Sequence, residues 1–336
     1  MADSRFPLFR LPFLALCKVI DFYGPHDIIQ LSFCSKRSLR VTKLQKKKKG
    51  MIMADLWADI GSRVNLYFTG SGFCYRFVVS KVQDLHNQQT QMIRIGDAVT
   101  PSIYKKTETV TYWDDKIFGI EQVVRYINDL FDVPITTIDL KSEEYKNEFI
   151  DTMDCLMKAQ EYIEECILHN EYLTDGCLTH LLDNCKITEG LWIHGEPTRK
   201  FKNDWNIRLN YLRISNGSWI TLQNLMNIDC LSLNIVNPSL TSKELNQFLK
   251  NWQNGGNSRI RYARIEMNSI DQEAITSGIE TVSQPETLQR SYPSVRHLTV
   301  MKKGGLDIQR NDGTTGTIYL SGNTFGFGVD PIEGSI

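Results

Sequence analysis

The sequence predicts an α/β protein, with a small helical unit at the amino terminus followed by a larger domain of alternating strands and helices. Large apolar residues recur at helical spacing near the start of the chain and are interrupted by a Gly-Pro pair. Farther along, short runs rich in β-branched and aromatic residues alternate with helical segments. The 336 residues, 41% hydrophobic and 23% charged, are ordinary for a globular protein of two or three domains.

The amino-terminal stretch, residues 6–44, contains two apolar segments separated by Gly24 and Pro25. Pro25 suits the first turn of a helix because its φ angle is already helical, and Asp27 adds negative charge where the helix dipole favours it. We therefore expect two or three short helices. About forty residues bury too little surface to be stable alone. Apolar positions should remain for another chain, or for the rest of this one if the unit is an ordinary helical subdomain.

Three landmarks mark this stretch: a Leu-Pro pair at 11–12, a P-x-D-I-I-x-L-S run from Pro25 and the tetrapeptide C-S-K-R from Cys34. With them it resembles an F-box, a helical motif that docks on the Skp-type adaptor of cullin-RING ubiquitin ligases. The resemblance implies a partner-binding unit at 1–45. Its adaptor-contacting residues would be Leu11, Pro12, Leu14, Val19, Ile20, Ile28, Leu31 and Lys36. Cys17 and Lys18 depart from the pattern, since many members carry an acidic residue there.

Charge and cysteine content narrow the function classes. The net charge of −1 creates no overall field that would attract nucleic acid or an anionic membrane, so neither is an expected partner. The eight cysteines are scattered and none forms a C-x-x-C pair, which indicates a reduced, intracellular protein. The apolar run at 11–17 is far too short to span a membrane. We expect a cytoplasmic protein, a nuclear protein or both.

Four consecutive lysines, Lys46–Lys49, follow the helical unit. One interpretation is a nuclear import signal or a phosphate-binding patch. The other, which we favour, is a solvated linker over 46–56, because a connection to the following domain is needed here and like charges keep it open.

The next part of the chain, to residue 169, predicts strands and helices in mixed order. Residues 64–69 and 75–80 predict a hairpin with a Gly-rich turn, and 93–95 a further strand. A helix should begin at Asp114 or Asp115, followed by a strand at 135–140. Residues 143–169 predict one long helical region.

The second half predicts strands at regular intervals. Strands are expected at 191–194, 212–215, 231–234, 262–267 and 295–300, with helices at 178–184 and from 219 to 225. The strand centres Leu191, Leu212, Leu231 and Tyr262 are separated by 21, 19 and 31 positions. The first two intervals fit a leucine-rich repeat of roughly 20–29 residues. The asparagine of the strict motif is missing, so residues 57–322 predict an irregular, leucine-rich-repeat-like domain. A non-repetitive α/β domain is the alternative.

Residues 241–252 form the clearest helix. Thr241 and Glu244 fit a capping box, and a single apolar stripe follows, formed by Leu245, Phe248, Leu249 and Trp252. Residues 304–336 hold 8 of the 22 glycines. They predict one strand at 317–320 and a flexible tail over 323–336.

The larger domain also resembles a family. The residues that carry the resemblance are Y-W-D-D at 112–115, W-I-T-L at 219–222, L-S-L at 231–233 and L-T-S-K-E-L-N-Q-F-L-K-N-W at 240–252. They are similar to the type 2 F-box-associated domain. The resemblance implies a substrate-recruiting region without chemistry of its own.

Residues able to perform chemistry are few. Cys166, His169, Cys177 and His180 are the one metal-like set, in two i, i+3 pairs. They lie in segments expected to be helical, where cysteine also serves as a small core residue. We expect neither zinc nor another cofactor. Common hydrolase, metalloprotease and dinucleotide-binding motifs are absent from the sequence.

The function these features predict is a non-catalytic one. The chain would be the substrate-recognition subunit of a Skp-cullin-F-box ubiquitin ligase, binding the Skp-type adaptor, through it the cullin, and an unknown target protein. The alternative is a protein-interaction scaffold outside any ligase, and an enzyme is the third class.

Overall fold

The structure is a computed structural model. It describes residues 7–43, 51–58, 62–68, 72–141, 148–169, 173–198, 200–203, 208–294 and 298–330. The chain divides into two compact units, the first within Met1–Asp139 and Asp151–Glu161, the second within Leu140–Ile150 and Tyr162–Ile336. Among the described residues, no helix is both long and apolar enough to cross a membrane.

The amino-terminal part of the first unit is helical, as predicted. After a short 3-10 turn at Leu8–Arg10 it contains three helices: α1 Phe13–Asp21, α2 Pro25–Cys34 and α3 Lys36–Lys43. Gly24 is the N-cap of α2 and Pro25 occupies its first position, while the Asp27 carboxylate accepts a hydrogen bond of 3.1 Å from the Gly24 amide. The Gly-Pro pair therefore ends one helix and begins the next.

The rest of the first unit is a sheet with two helices. Its elements are β1 Met51–Ala58, β2 Ser62–Phe68, β3 Phe73–Lys81, β4 Gln91–Ile95, β5 Ala98–Lys105, β6 Glu108–Trp113, α4 Lys116–Phe131, β7 Ile135–Leu140 and α5 Phe149–Ala159. The strand order is β7-β1-β2-β3-β6-β5-β4. β2 and β3 pair antiparallel, as expected for the predicted hairpin. Asp115 caps α4, because its carboxylate accepts from the Ile117 and Phe118 amides.

The long helix predicted at 143–169 is wrong in its second half. The helix α5 ends at Ala159, and Ile163–Leu168 form a strand, β8. Ile163, Cys166 and Ile167 are buried in that strand. Their spacing imitates a helical stripe, and periodicity alone does not distinguish a short buried strand from a helix.

The second unit begins with a run of parallel strands. Its elements are β8, α6 Asp175–Asn184, β9 Ile187–Ile193, β10 Arg208–Ile214, α7 Leu222–Asn227, β11 Asp229–Val236, α8 Ser242–Gln253, β12 Tyr262–Glu266 and α9 Gln272–Thr276. β8 to β12 lie side by side in chain order, each parallel to the next. The mixed α/β class is thus confirmed, with a helical amino-terminal region followed by a large sheet domain.

One face of these strands forms the core. Leu191, Leu212, Leu233 and Ala263 make one fully buried row in register, and Ile193, Ile214, Ile235 and Ile265 make the next. Helix α8 packs on this face with all four residues of its predicted stripe buried. Asn246, which is not part of that stripe, is also buried and donates to the Ile275 and Ser277 carbonyls beside α9.

The predicted capping box at the start of α8 is confirmed. The Thr241 hydroxyl accepts from the Glu244 amide at 3.3 Å, and the Glu244 carboxylate accepts from the Thr241 amide at 2.7 Å.

We expect Thr241→Ala to lower the free energy of unfolding by about 1 kcal/mol, because one helix amide loses its partner. Urea denaturation of the full chain measures this. Lys243→Ala, at an exposed position in the first turn of the same helix, serves as the control, and an equal loss in the two variants would contradict the capping role.

The carboxyl-terminal strands correct two predictions. They are β13 Val282–Pro293, β14 Thr299–Gln309, β15 Thr315–Ser321 and β16 Thr324–Val329. β16 lies between β12 and β15, so residues 324–329 are not a flexible tail. The strand expected at 295–300 instead begins at Thr299, and 295–297 lie outside the described residues.

The glycines of this region misled the prediction because they permit close packing rather than flexibility. A Cβ at Gly328 would lie 2.3 Å from the Tyr292 ring, and one at Gly316 would lie 2.6 Å from the Phe327 ring. Glycine is needed where another group approaches the backbone this closely.

Candidate functional site

Helix α1 and its carboxyl-terminal end carry large apolar side chains in solvent. Phe13, Leu14 and Phe22 are 58%, 78% and 89% exposed, and we call these three residues the apolar surface of α1. Single exposed apolar residues are common, but a group on one short helix is typical of a protein-binding site.

The composition of α1 explains why this surface exists. Leu16 and Ile20, one turn apart, are 3% and 0% exposed and attach the helix to its own unit. The helix is apolar on more than one side, and a helix can bury only the face that meets its core. Phe13 and Leu14 are therefore left outside.

The eight predicted contact residues fall into three groups. Pro12, Leu14 and Lys36 are exposed, and Leu11, Val19 and Leu31 are half-buried. Ile20 and Ile28 are 0% and 2% exposed. These two isoleucines pack inside the chain and support the helices, and their assignment as adaptor contacts stays a prediction.

The C-S-K-R landmark positions the start of α1. Ser35 begins α3, and its hydroxyl accepts from the Ser38 amide at 3.0 Å. Arg37 donates to the Phe9 carbonyl at 2.7 Å, and its guanidinium lies 5.5 Å from the centre of the Phe9 ring. A charge-assisted hydrogen bond and a cation–π contact thus hold the 3-10 turn before Pro12 against α3.

Helix α2 attaches the helical unit to the sheet and α4. Phe33 stacks on Tyr126 with ring centres 5.5 Å apart and meets Phe77 edge-on at 6.4 Å. The Ser32 hydroxyl hydrogen-bonds the Tyr126 hydroxyl, and burial raises the pKa of that phenol. Tyr126 therefore stays neutral and serves as a packing and hydrogen-bonding residue.

Two further contacts extend this attachment. Tyr104 of β5 hydrogen-bonds both His26 and Gln30 of α2, and Lys43 of α3 pairs with Asp129 of α4. The helices predicted as a separate domain at 1–45 are therefore part of the first compact unit. The linker predicted at 46–56 includes strand β1 from Met51 onward, while Lys46–Lys49 lie outside the described residues.

Sequence reasoning missed Phe13 and Phe22 as candidate contacts. The signal that could have found them is that α1 is too apolar for a helix with one buried face. Which apolar residues remain exposed depends on how α1 packs against the rest of its unit, and that packing is a tertiary property.

The residues of the metal-like set are distributed over two elements. Cys166 is buried in β8, and His169 stacks on His194 with ring centres 4.7 Å apart, whereas Cys177 lies buried in the first turn of α6. Within the described ranges, no group of three or more His, Cys, Asp or Glu side chains is arranged to hold a metal ion.

We expect the purified protein to contain no stoichiometric zinc and to keep its melting temperature in a chelator, because the buried cysteines serve as core residues. Elemental analysis and a melting curve with and without chelator test this. Zinc that is lost together with the fold would contradict it.

Comparison with known families supports both resemblances. The F-box domain model matches residues 8–49, and a model described as F-box associated matches residues 200–265. The first match contains α1 to α3, and the second contains β10, α7, β11 and α8. The combination of an F-box with a type 2 F-box-associated domain is therefore confirmed.

Three relatives from Caenorhabditis elegans match nearly the whole chain. Uncharacterized protein F59B2.8 is 21% identical over 94% of this chain and 74% of its own length. Uncharacterized protein F59B2.9 is 19% identical over 94% of this chain and 75% of its own. Skn-1 dependent zygotic transcript 15 protein is 21% identical over 95% of each chain. No solved structure matches the chain.

Proposed function

We propose that this chain, which carries an F-box and an F-box-associated domain, is the substrate-recognition subunit of a Skp-cullin-F-box ubiquitin ligase. The F-box would dock on the Skp-type adaptor and through it on the cullin. The second unit would bind a target protein. No residue of this chain would make or break a bond.

The observation that carries the proposal is the apolar surface of α1 within the region that matches the F-box. We propose that the adaptor also contacts the neighbouring residues Leu11, Pro12, Val19, Leu31 and Lys36. The buried side of α1 holds the helix in place, and its apolar side chains are exposed to solvent. This arrangement fits a preformed docking surface, because binding then costs little conformational entropy.

The mechanism is geometric. A target held by the second unit stays close to the ubiquitin-carrying enzyme, so each of its lysines meets that enzyme at high effective concentration. The parallel order of β8 to β12 supports a leucine-rich-repeat-like solenoid, an architecture whose extended surfaces suit protein binding. The complex would act in the cytoplasm, the nucleus or both.

The alternative is an interaction scaffold that uses the adaptor only for stability or not at all. It has the same two binding surfaces but does not bring a target to a cullin.

Reconstitution separates the two. The full chain, the Skp-type adaptor and the cullin are purified and mixed, and the complexes are resolved by size-exclusion chromatography with mass measurement. The proposal predicts one complex containing all three chains. A folded chain that elutes apart from the adaptor would contradict the F-box role, and a chain that binds the adaptor but excludes the cullin would favour the scaffold.

A further inference from the structure

The parallel strands of the second unit have a second face, opposite the buried leucine and isoleucine rows. Register pairs Trp192 of β9 with Arg213 of β10, Arg213 with Asn234 of β11, and Asn234 with Arg264 of β12. Register partners point to the same side of a sheet. These four residues therefore form one row across four strands, and we call it the polar row.

The two faces differ in exposure. The leucines and isoleucines beside the polar row are at most 1% exposed, whereas all four side chains of the polar row are partly exposed. The same face continues with Tyr211 and Tyr262, two residues earlier in their strands, which are 9% and 3% exposed. The Tyr262 ring is covered by the stacked ring of Tyr292. The open part of the polar row therefore lies on β9, β10 and β11, beside Tyr211.

Two polar atoms of the polar row lack a hydrogen-bond partner among the described residues. They are Arg213 Nε and Asn234 Oδ1, each screened from solvent. They lie on the neighbouring strands β10 and β11. A screened polar group without a partner is costly, so native proteins rarely keep two side by side without a use.

The charges of this face favour an anion. Arg264 pairs with Glu266 at 2.7 Å, whereas Arg213 and Lys302 form no ion pair with any residue that the structure describes. Burial lowers the pKa of Lys302, and the positive charge of Arg264 lowers it further. Glu165 lies on the same face, opposite Gly190 at the β8 side, so the excess of positive charge is at Arg213 and toward β12.

We propose that the polar row binds an extended acidic segment of the target protein, with Arg213 and Asn234 as its central contacts. This inference rests on the function proposed above and names the chemistry of the target.

Each part of such a segment has a counterpart on this face. A carboxylate can accept from Arg213, whose planar guanidinium suits that group. Asn234 Oδ1 needs a donor, and a backbone N–H of an extended peptide supplies one. Trp192 and Tyr211 offer apolar area for the stem of the acidic side chain.

The test uses the purified full chain and a display library of random linear peptides. We expect the bound peptides to be enriched in Asp and Glu. The most enriched peptide is then synthesised with a fluorescent label and titrated with wild type and with Arg213→Ala. Loss of the charge-assisted hydrogen bond should weaken binding about tenfold. Asn234→Ala, which removes the second central contact, should weaken binding while leaving the melting temperature unchanged.

Arg208→Ala is the matched control, since Arg208 lies on the same strand but is exposed at its start. If Arg213→Ala does not fold, Arg213→Lys keeps the charge but loses the planar fork, and it should still weaken binding. Enrichment of apolar or basic peptides, no enrichment, or an equal loss in Arg208→Ala would overturn the inference. Adaptor binding is measured on the same samples, because its loss with retained peptide binding would refute the ligase role alone.

Discussion

Phe248→Ala is expected to lower the free energy of unfolding by about 3–5 kcal/mol, as for other buried aromatic residues. Phe248 is 0% exposed in α8 and meets Phe327 of β16 edge-on, with ring centres 6.2 Å apart. The substitution leaves a cavity between a helix and a central strand. The expected loss is a large part of a typical domain stability of about 5–15 kcal/mol.

Urea denaturation of the full chain measures this effect, with Gln247→Ala as the control on the exposed side of the same helix. Adaptor binding should persist at low urea, since the F-box helices lie in the first unit. A Phe248→Ala variant that unfolds like wild type but no longer binds its target would show that the stripe is a recognition surface.

The double variant Phe13→Ala, Leu14→Ala is expected to weaken adaptor binding by roughly a thousandfold. Buried anchors at the centre of an interface contribute about 2 kcal/mol or more each, and each factor of ten corresponds to about 1.4 kcal/mol. Both residues are exposed in the free chain, and alanine is favourable in a helix, so the fold should be unaffected.

These residues make a cleaner test than Ile28, because Ile28 is buried and its truncation would also destabilise the unit. Val99→Ala, which shortens an exposed apolar side chain on β5 of the same unit, is the matched control. Calorimetric titration of the adaptor into each variant gives the affinities. If the folded double variant bound the adaptor with wild-type affinity, α1 would not be part of the docking surface.

Local signals predicted much of the fold. The capping box at Thr241, the four-residue stripe behind it and the Gly-Pro pair before α2 each act within a few residues, so their meaning does not depend on the rest of the chain. Asp115, which caps the start of α4, is another signal that acts within a few residues.

Signals that depend on distant contacts failed. Ile163–Leu168 has helical spacing but is a strand, because it pairs with the parallel strand β9 and is buried there. Gly328 lies in the predicted flexible tail, but glycine is needed there because the Tyr292 ring packs on its backbone.

The predicted contact set contains exposed residues such as Leu14, but it does not contain Phe13 and Phe22. The Leu-Pro and S-K-R landmarks located the candidate site, and the structure explains part of their role through the contact of Arg37 with Phe9. The burial of Ile20 and Ile28 and the exposure of Phe13 and Phe22 follow from how α1 and α2 pack. The eight contact residues were transferred from a family resemblance, which does not say which side chains are buried in this chain.

Hydroxyl-radical footprinting measures which side chains of this chain an added adaptor covers. The full chain is labelled alone and with a saturating amount of the Skp-type adaptor. We predict that Phe13, Leu14 and Phe22 react in the free chain and become protected in the complex, while Val99 and Met92 react equally in both. Unchanged reactivity of the three α1 residues in a chain that binds the adaptor would contradict this prediction.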